Sequence, residues 1–194
     1  NGAGNQFTGN AWLGGNLGVV RPIVPARVEP LSEAALLHVV LVEPQIPPNT
    51  GNIARLCAAL ELPLHLVGRL GFSLDDRYLK RAGLDYWPAV ELYLWPDAKA
   101  FFDMQAGHRL HWFSRHADVE YTAVDYHPGD LLVFGSEVSG LPGWLKSCYP
   151  GRGRRLPIRN PAARSLNLSS AAAVAAYEAF RQLRGGGTKH GRNG

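Results

Sequence analysis

The sequence predicts an α/β domain in which a mainly parallel sheet is flanked by helices. Two observations carry that expectation. Short, β-branched apolar runs stop abruptly at Gly, Pro or Asn, and amphipathic stretches separate one run from the next. Strands alternating with helices are the pattern of parallel sheets built from crossover units. With 194 residues and 46% apolar content, the chain can bury one good-sized core, so a single domain is expected.

The first run is His38–Val42, rich in Val and Leu. A Pro-Pro-Asn-Thr-Gly turn follows, and Asn52–Leu60 then reads as an amphipathic helix that Asn49 or Thr50 could cap. Strand character returns over Leu62–Val67 and stops at Gly68, and Val90–Leu94 is the next run. Pro96–Gln105 reads as a helix, Leu110–Ser114 as a strand, and Asp130–Phe134 as a buried strand ending at Gly135. Ser165–Leu183 is the strongest helix, with Ala173, Ala176, Tyr177, Phe180 and Leu183 on one face. Residues 1–36, rich in Gly and Asn, read as a flexible arm, 37–184 as the domain, and 185–194 as a flexible Gly-rich tail.

Charge adds a second layer. The net charge is +4 and the isoelectric point about 9.3, a balance that suits an anionic partner without requiring one. Its distribution says more: no Asp or Glu lies between Glu137 and Glu178, whereas Lys146, Arg152, Arg154, Arg155, Arg159 and Arg164 do. A one-signed stretch of that length suits phosphates, and Arg152, Arg154 and Arg155 are its candidate RNA-binding residues. The two cysteines, Cys57 and Cys148, form no CxxC pair and suit a reducing cytosol. His111 and His116 fall on opposite faces of the strand that holds the first, which argues against shared metal ligation. No apolar run approaches a membrane span and no signal peptide is visible, so a soluble cytoplasmic protein without a metal is expected.

In sheets of this kind ligands bind at the carboxyl ends of strands, and three loops there carry the candidate chemistry. The first, Pro47-Pro48-Asn49-Thr50-Gly51-Asn52-Ile53-Ala54-Arg55, places Arg55 near a helix N-terminus, an end that favours anions. The second runs from Phe134 through Gly135, Glu137 and Gly140 to Pro142. Its glycines let backbone approach a flat ligand, but it is neither a Walker loop nor a dinucleotide fingerprint. Glu137 reads either as a site acid or as a helix-capping one. The third, Arg152–Ser170, is a basic loop that presents Ser165 and Asn167 at the start of the last helix. These loops could hold an anionic or nucleotide-like ligand; spacing does not name a reaction.

Taken together, the loops resemble the motifs of the SPOUT superfamily of RNA methyltransferases, in its TrmL-like branch. The likeness runs from Leu37 to Leu183. It includes Glu43–Cys57, Lys80–Tyr86, Phe134–Pro142 and Arg164–Ser169. The resemblance implies a SPOUT fold with a C-terminal trefoil knot, a homodimer, and transfer of a methyl group from S-adenosylmethionine to a ribose 2′-hydroxyl of tRNA. The wobble cytidine or uridine is the expected target; another tRNA site, rRNA, or a catalytically inactive RNA-binding relative is the alternative. By the same resemblance, Phe113, Gly135, Leu156 and Ser165 correspond to cofactor-binding positions. Asn49, Arg55, Glu137, Ser165 and Asn167 correspond to residues around the reacting ribose. A guanidinium stays protonated, so Arg55 is expected to orient the ribose and stabilise a developing alkoxide. In the dimer, Ala173 and Ala176 of the last helix are expected to permit close approach of the partner.

Overall fold

The computed structural model describes residue 31 and residues 34–74, 89–160 and 162–185. Most of the expected arm, the Lys80–Tyr86 motif and all of the expected tail after Gly185 lie outside the described residues. The elements in chain order are β1 (Leu37–Val42), α1 (Pro47–Leu60), β2 (Leu64–Val67), β3 (Leu92–Trp95), α2 (Ala98–Met104), β4 (Leu110–Phe113), β5 (Val119–Glu120), β6 (Asp130–Phe134), α3 (Gly143–Cys148), β7 (Gly153–Arg155) and α4 (Leu168–Gly185).

Among the described residues, seven strands pair in parallel, in the order β3-β2-β1-β6-β4-β7-β5. The two central strands, β1 and β6, are buried along their whole length, as expected where helices cover both faces of a parallel sheet. Their side chains alternate between two cores. Leu37, Val39, Leu41, Leu132 and Phe134 pack with Ile53, Ala54 and Cys57 of α1 and with Ala172, Ala175, Ala176 and Ala179 of α4. Val40, Val42, Leu131 and Val133 face the other way, onto Phe101 and Phe102 of α2 and Leu145 of α3. Leu31 and Leu36, within the stretch expected to be an arm, pack against these cores.

Several local expectations change. Helix α1 begins at Pro47 rather than Asn52, with Pro at its first positions, where a missing N–H costs nothing. Neither Asn49 nor Thr50 caps it, since both lie inside the first turns. On α4 the buried stripe is Ala172, Ala175, Ala176 and Ala179, while Tyr177 is exposed. Ala176 therefore belongs to the α1 contact and is not available to a partner subunit. Strand β7 replaces what read as a loop. Its Gly-Arg-Arg sequence has no apolar pattern, yet Gly153 must be glycine because a Cβ there would lie 2.3 Å from the Trp112 ring.

Two buried histidines are locked neutral. In His65, Nδ1 accepts from the Trp95 indole N–H at 3.1 Å, so the ring proton sits on Nε2, 3.0 Å from His38 Nδ1. Burial, and then the nearby His38, hold the His65 pKa well below its ordinary value. His111 donates from Nε2 to Asp130 at 2.9 Å and accepts from Arg154 Nε at 3.0 Å. Burial lowers its pKa despite the opposing pull of Asp130. As pH falls below about 6.5 the unfolded chain takes up protons at these rings that the folded chain refuses. Their contribution is thus fully present above that pH and lost on acidification. Melting temperature should be level from pH 8 to 7 and fall from pH 6.5 to 5; calorimetry showing a level profile throughout would contradict the assignment.

Candidate active site

A cleft of about 670 Å³ opens at the carboxyl ends of β4, β6 and β7, against the N-termini of α1 and α4. Seven of the sequence-predicted residues line it: Asn49, Phe113, Gly135, Glu137, Leu156, Ser165 and Asn167. They come from four separate stretches of chain, so the fold brings them together.

Gly135 follows β6 directly. The loop behind it closes through paired bonds, Ser136 N–H to the Gly140 carbonyl at 3.2 Å and Gly140 N–H to the Ser136 carbonyl at 2.8 Å. A Cβ on Gly135 would lie 2.3 Å from both the Gly140 carbonyl carbon and the Leu141 nitrogen. Gly140 itself has φ +68°, a conformation that glycine adopts freely. Beside this turn, Phe113 stacks on Phe134 with ring centroids 4.7 Å apart. Leu156, Ile158 and Leu168 add apolar surface. A half-apolar cleft of this volume with exposed loop backbone suits a flat, drug-sized ligand.

The polar wall is a single hydrogen-bonded line. Glu137 reaches back across the sheet and accepts from the backbone N–H groups of Gln45 (2.8 Å) and Ile46 (3.3 Å) and from Asn49 Nδ2 (3.0 Å). It therefore ties down the chain just before α1, while the first N–H groups of the helix, those of Asn49 and Thr50, donate to the Ile46 carbonyl. A carboxylate accepts about four hydrogen bonds, so these three leave Glu137 capacity for one more. Asn49 is buried, and its Oδ1 accepts from Asn167 Nδ2 at 2.9 Å. Asn167 Oδ1 in turn accepts from Ser169 N (2.8 Å), Ser169 Oγ (2.7 Å) and Ser170 N (3.4 Å), which caps α4. One line of side chains thus fixes both helix N-termini relative to the cleft.

The remaining candidates stand elsewhere. Arg55 is exposed on α1 and is not among the residues lining the cleft. Arg154 corrects the RNA-binding expectation: it is buried, and its guanidinium donates to His111 Nδ1 and to the carbonyls of Gly151 (3.0 Å) and Gly153 (2.7 Å). As a strand residue facing inward it cannot meet a phosphate. Arg152 is exposed, and Arg155 is half-exposed beside Glu120. Arg115, which no sequence motif marks, also lines the cleft, together with His116, which reads from sequence only as a rejected metal ligand, and Lys146, which reads only as part of the basic stretch. Arg115 and His116 follow β4 at its carboxyl end, the position where a ligand-binding residue was to be sought.

His111 is fully engaged by Asp130 and Arg154. Among the described residues no group of three His, Cys, Asp or Glu side chains could hold a metal ion. Nor, among them, is any helix long and apolar enough to cross a membrane.

Comparison with known proteins gives four consistent likenesses. Residues 36–177 match the model of the SpoU rRNA Methylase family. The tRNA (cytidine(34)-2′-O)-methyltransferase of Escherichia coli K12 is 43% identical over 149 residues, which cover 76% of this chain and 94% of that protein. A solved structure described as giving insight into 2-OH methylation of C/U34 on tRNA superposes with a TM-score of 0.74 at 46% identity, covering 78% of this chain and 99% of the other. The SpoU methyltransferase AviRb from Streptomyces viridochromogenes, solved with AdoMet, superposes with a TM-score of 0.69 at 25% identity, covering 83% and 62%.

Proposed function

The chain belongs to the SpoU methylase family, and from that membership we propose that it transfers a methyl group from S-adenosylmethionine to the ribose 2′-hydroxyl of nucleotide 34 in tRNA. The observation that carries this reading is the cleft. Its residues fit the cofactor: Gly135 keeps loop backbone open where any side chain would collide, and the Phe113–Phe134 stack gives an apolar wall for adenine. Leu156 and Ser165 complete the proposed cofactor set. Membership of the SpoU family is what supports a chain threaded as a trefoil knot.

S-adenosylmethionine supplies an electrophilic methyl group on a sulfonium. What the protein must add is alignment of the hydroxyl and an acceptor for its proton. Glu137 is the one carboxylate among the described residues that line the cleft, and its remaining acceptor capacity faces this task. Asn49 and Asn167 hold Glu137 and the start of α4 in register. Ser165, which lines the same cleft, is assigned to the ribose with them.

Arg55 enters the site from a second copy of the chain. It is exposed and outside its own cleft, so a homodimer is the arrangement that would bring it to the ribose. Val174 and Tyr177, both exposed on α4, offer apolar surface for such a contact beside the half-buried Ala173 and in place of the buried Ala176. Such an enzyme works in the cytoplasm, where tRNA is found.

The test uses labelled cofactor and tRNA transcripts. Wild-type protein should label a transcript with ribose at position 34 and leave one with deoxyribose there unlabelled. Equal labelling of both would overturn the assignment.

A further inference from the structure

A second cleft of about 430 Å³ adjoins the cofactor cleft and shares Arg115, His116, Leu156 and Ile158 with it. Its far side is built by β5 and β7, whose parallel pairing sets Glu120 opposite Arg155. The two side chains form an ion pair at 3.3 Å, each a little under half exposed. On the near side, Arg115 donates from Nε to His116 Nε2 at 3.0 Å, which leaves the imidazole proton on Nδ1, and from Nη1 to the Arg164 carbonyl at 2.8 Å. Asn160 closes the cleft. Two guanidinium groups, an imidazole N–H donor and an amide thus converge on a concave site, opposed by one carboxylate.

We propose that this second cleft binds a backbone phosphodiester of the substrate RNA next to the methylated nucleotide. The inference rests on the RNA-methylation reading above. A guanidinium fork matches two phosphate oxygens at once, and the phosphates flanking a ribose held at the first cleft must lie within one nucleotide of it. Glu120 is then a competitor: Arg155 exchanges the carboxylate for the phosphate. Exposed ion pairs of this kind are weak, so the exchange is readily made. The acid also disfavours the cleft for RNA until a phosphate displaces it.

Opposite effects from the two members of the pair make the proposal testable. In Arg155→Ala the KM for tRNA should rise about tenfold and the slope of log affinity against log salt should fall by about one phosphate contact. In Glu120→Gln the KM for tRNA should fall severalfold. Cofactor affinity, measured by calorimetry without RNA, should stay within twofold in both variants. An unchanged tRNA KM in Arg155→Ala, or weaker tRNA binding in Glu120→Gln, would overturn the proposal. A large rise in cofactor Kd for Arg155→Ala would instead assign the cleft to the carboxylate end of the cofactor, and would overturn it too. Because tRNA binding can be followed by filter retention without methyl transfer, failure of the catalytic reading would be seen separately.

Discussion

Gly135→Val should all but abolish cofactor binding. The loop after β6 returns so closely that a Cβ would lie 2.3 Å from the Gly140 carbonyl carbon and the Leu141 nitrogen, and 2.6 Å from the Gly140 oxygen. Those neighbours are backbone held by two hydrogen bonds, so they cannot rotate aside as a side chain would. Accommodating the new group means opening the loop that lines the cleft. Calorimetry with S-adenosylmethionine should show a loss of affinity of at least about 100-fold, or roughly 2.7 kcal/mol. Gly143→Ala is the matched control, because a Cβ there meets nothing within 4 Å, and it should bind normally. Circular dichroism and gel filtration would show that the Gly135 variant folds. A folded Gly135→Val chain that binds the cofactor like wild type would place the cofactor outside this cleft.

Arg55→Ala should behave in the opposite way, with turnover lowered by orders of magnitude and cofactor affinity little changed. The side chain stands on the exposed side of α1, so its removal leaves the cleft intact. If it orients the ribose and stabilises the charge that appears as the hydroxyl loses its proton, its contribution is felt mainly in the transition state. Arg55→Lys keeps the charge but loses the planar fork and should rescue little. The shared-site reading adds a sharper outcome. Mixing Arg55→Ala with Gly135→Val protomers should recover part of the activity that each lacks alone, since one intact cleft would meet one intact Arg55. Near-normal turnover in Arg55→Ala would remove this residue from the site. No recovery on mixing would remove the partner subunit from it.

Much of the fold was legible because it follows from periodicity. The β1 and β6 runs, the amphipathic α1 and the Ala-rich α4 all carry patterns that only one arrangement buries, and their loops carried the candidate site. What escaped was long-range. Nothing local says that Glu137 serves a helix that begins at Pro47, because the bond closes across the sheet. Pro-Pro-Asn-Thr-Gly reads as a turn by composition, yet it forms the first turns of α1 under that distant carboxylate. Arg154 misled for a related reason: in a basic run every arginine looks solvated, and only the pairing of β7 with β4 turns this one toward His111. Arg115 and His116 carry no local pattern that marks a site, and only their position at the carboxyl end of β4 brings them to the cleft.

The central claim is a methyl group placed on the ribose of nucleotide 34, and the most direct measurement is mass-spectrometric mapping of ribose methylation in tRNA from cells with and without this protein. The account predicts that a 2′-O-methyl group at nucleotide 34 is present with the protein and lost without it, the rest of the map staying the same. An unchanged nucleotide 34, with methylation lost instead at another tRNA position or in rRNA, would contradict it.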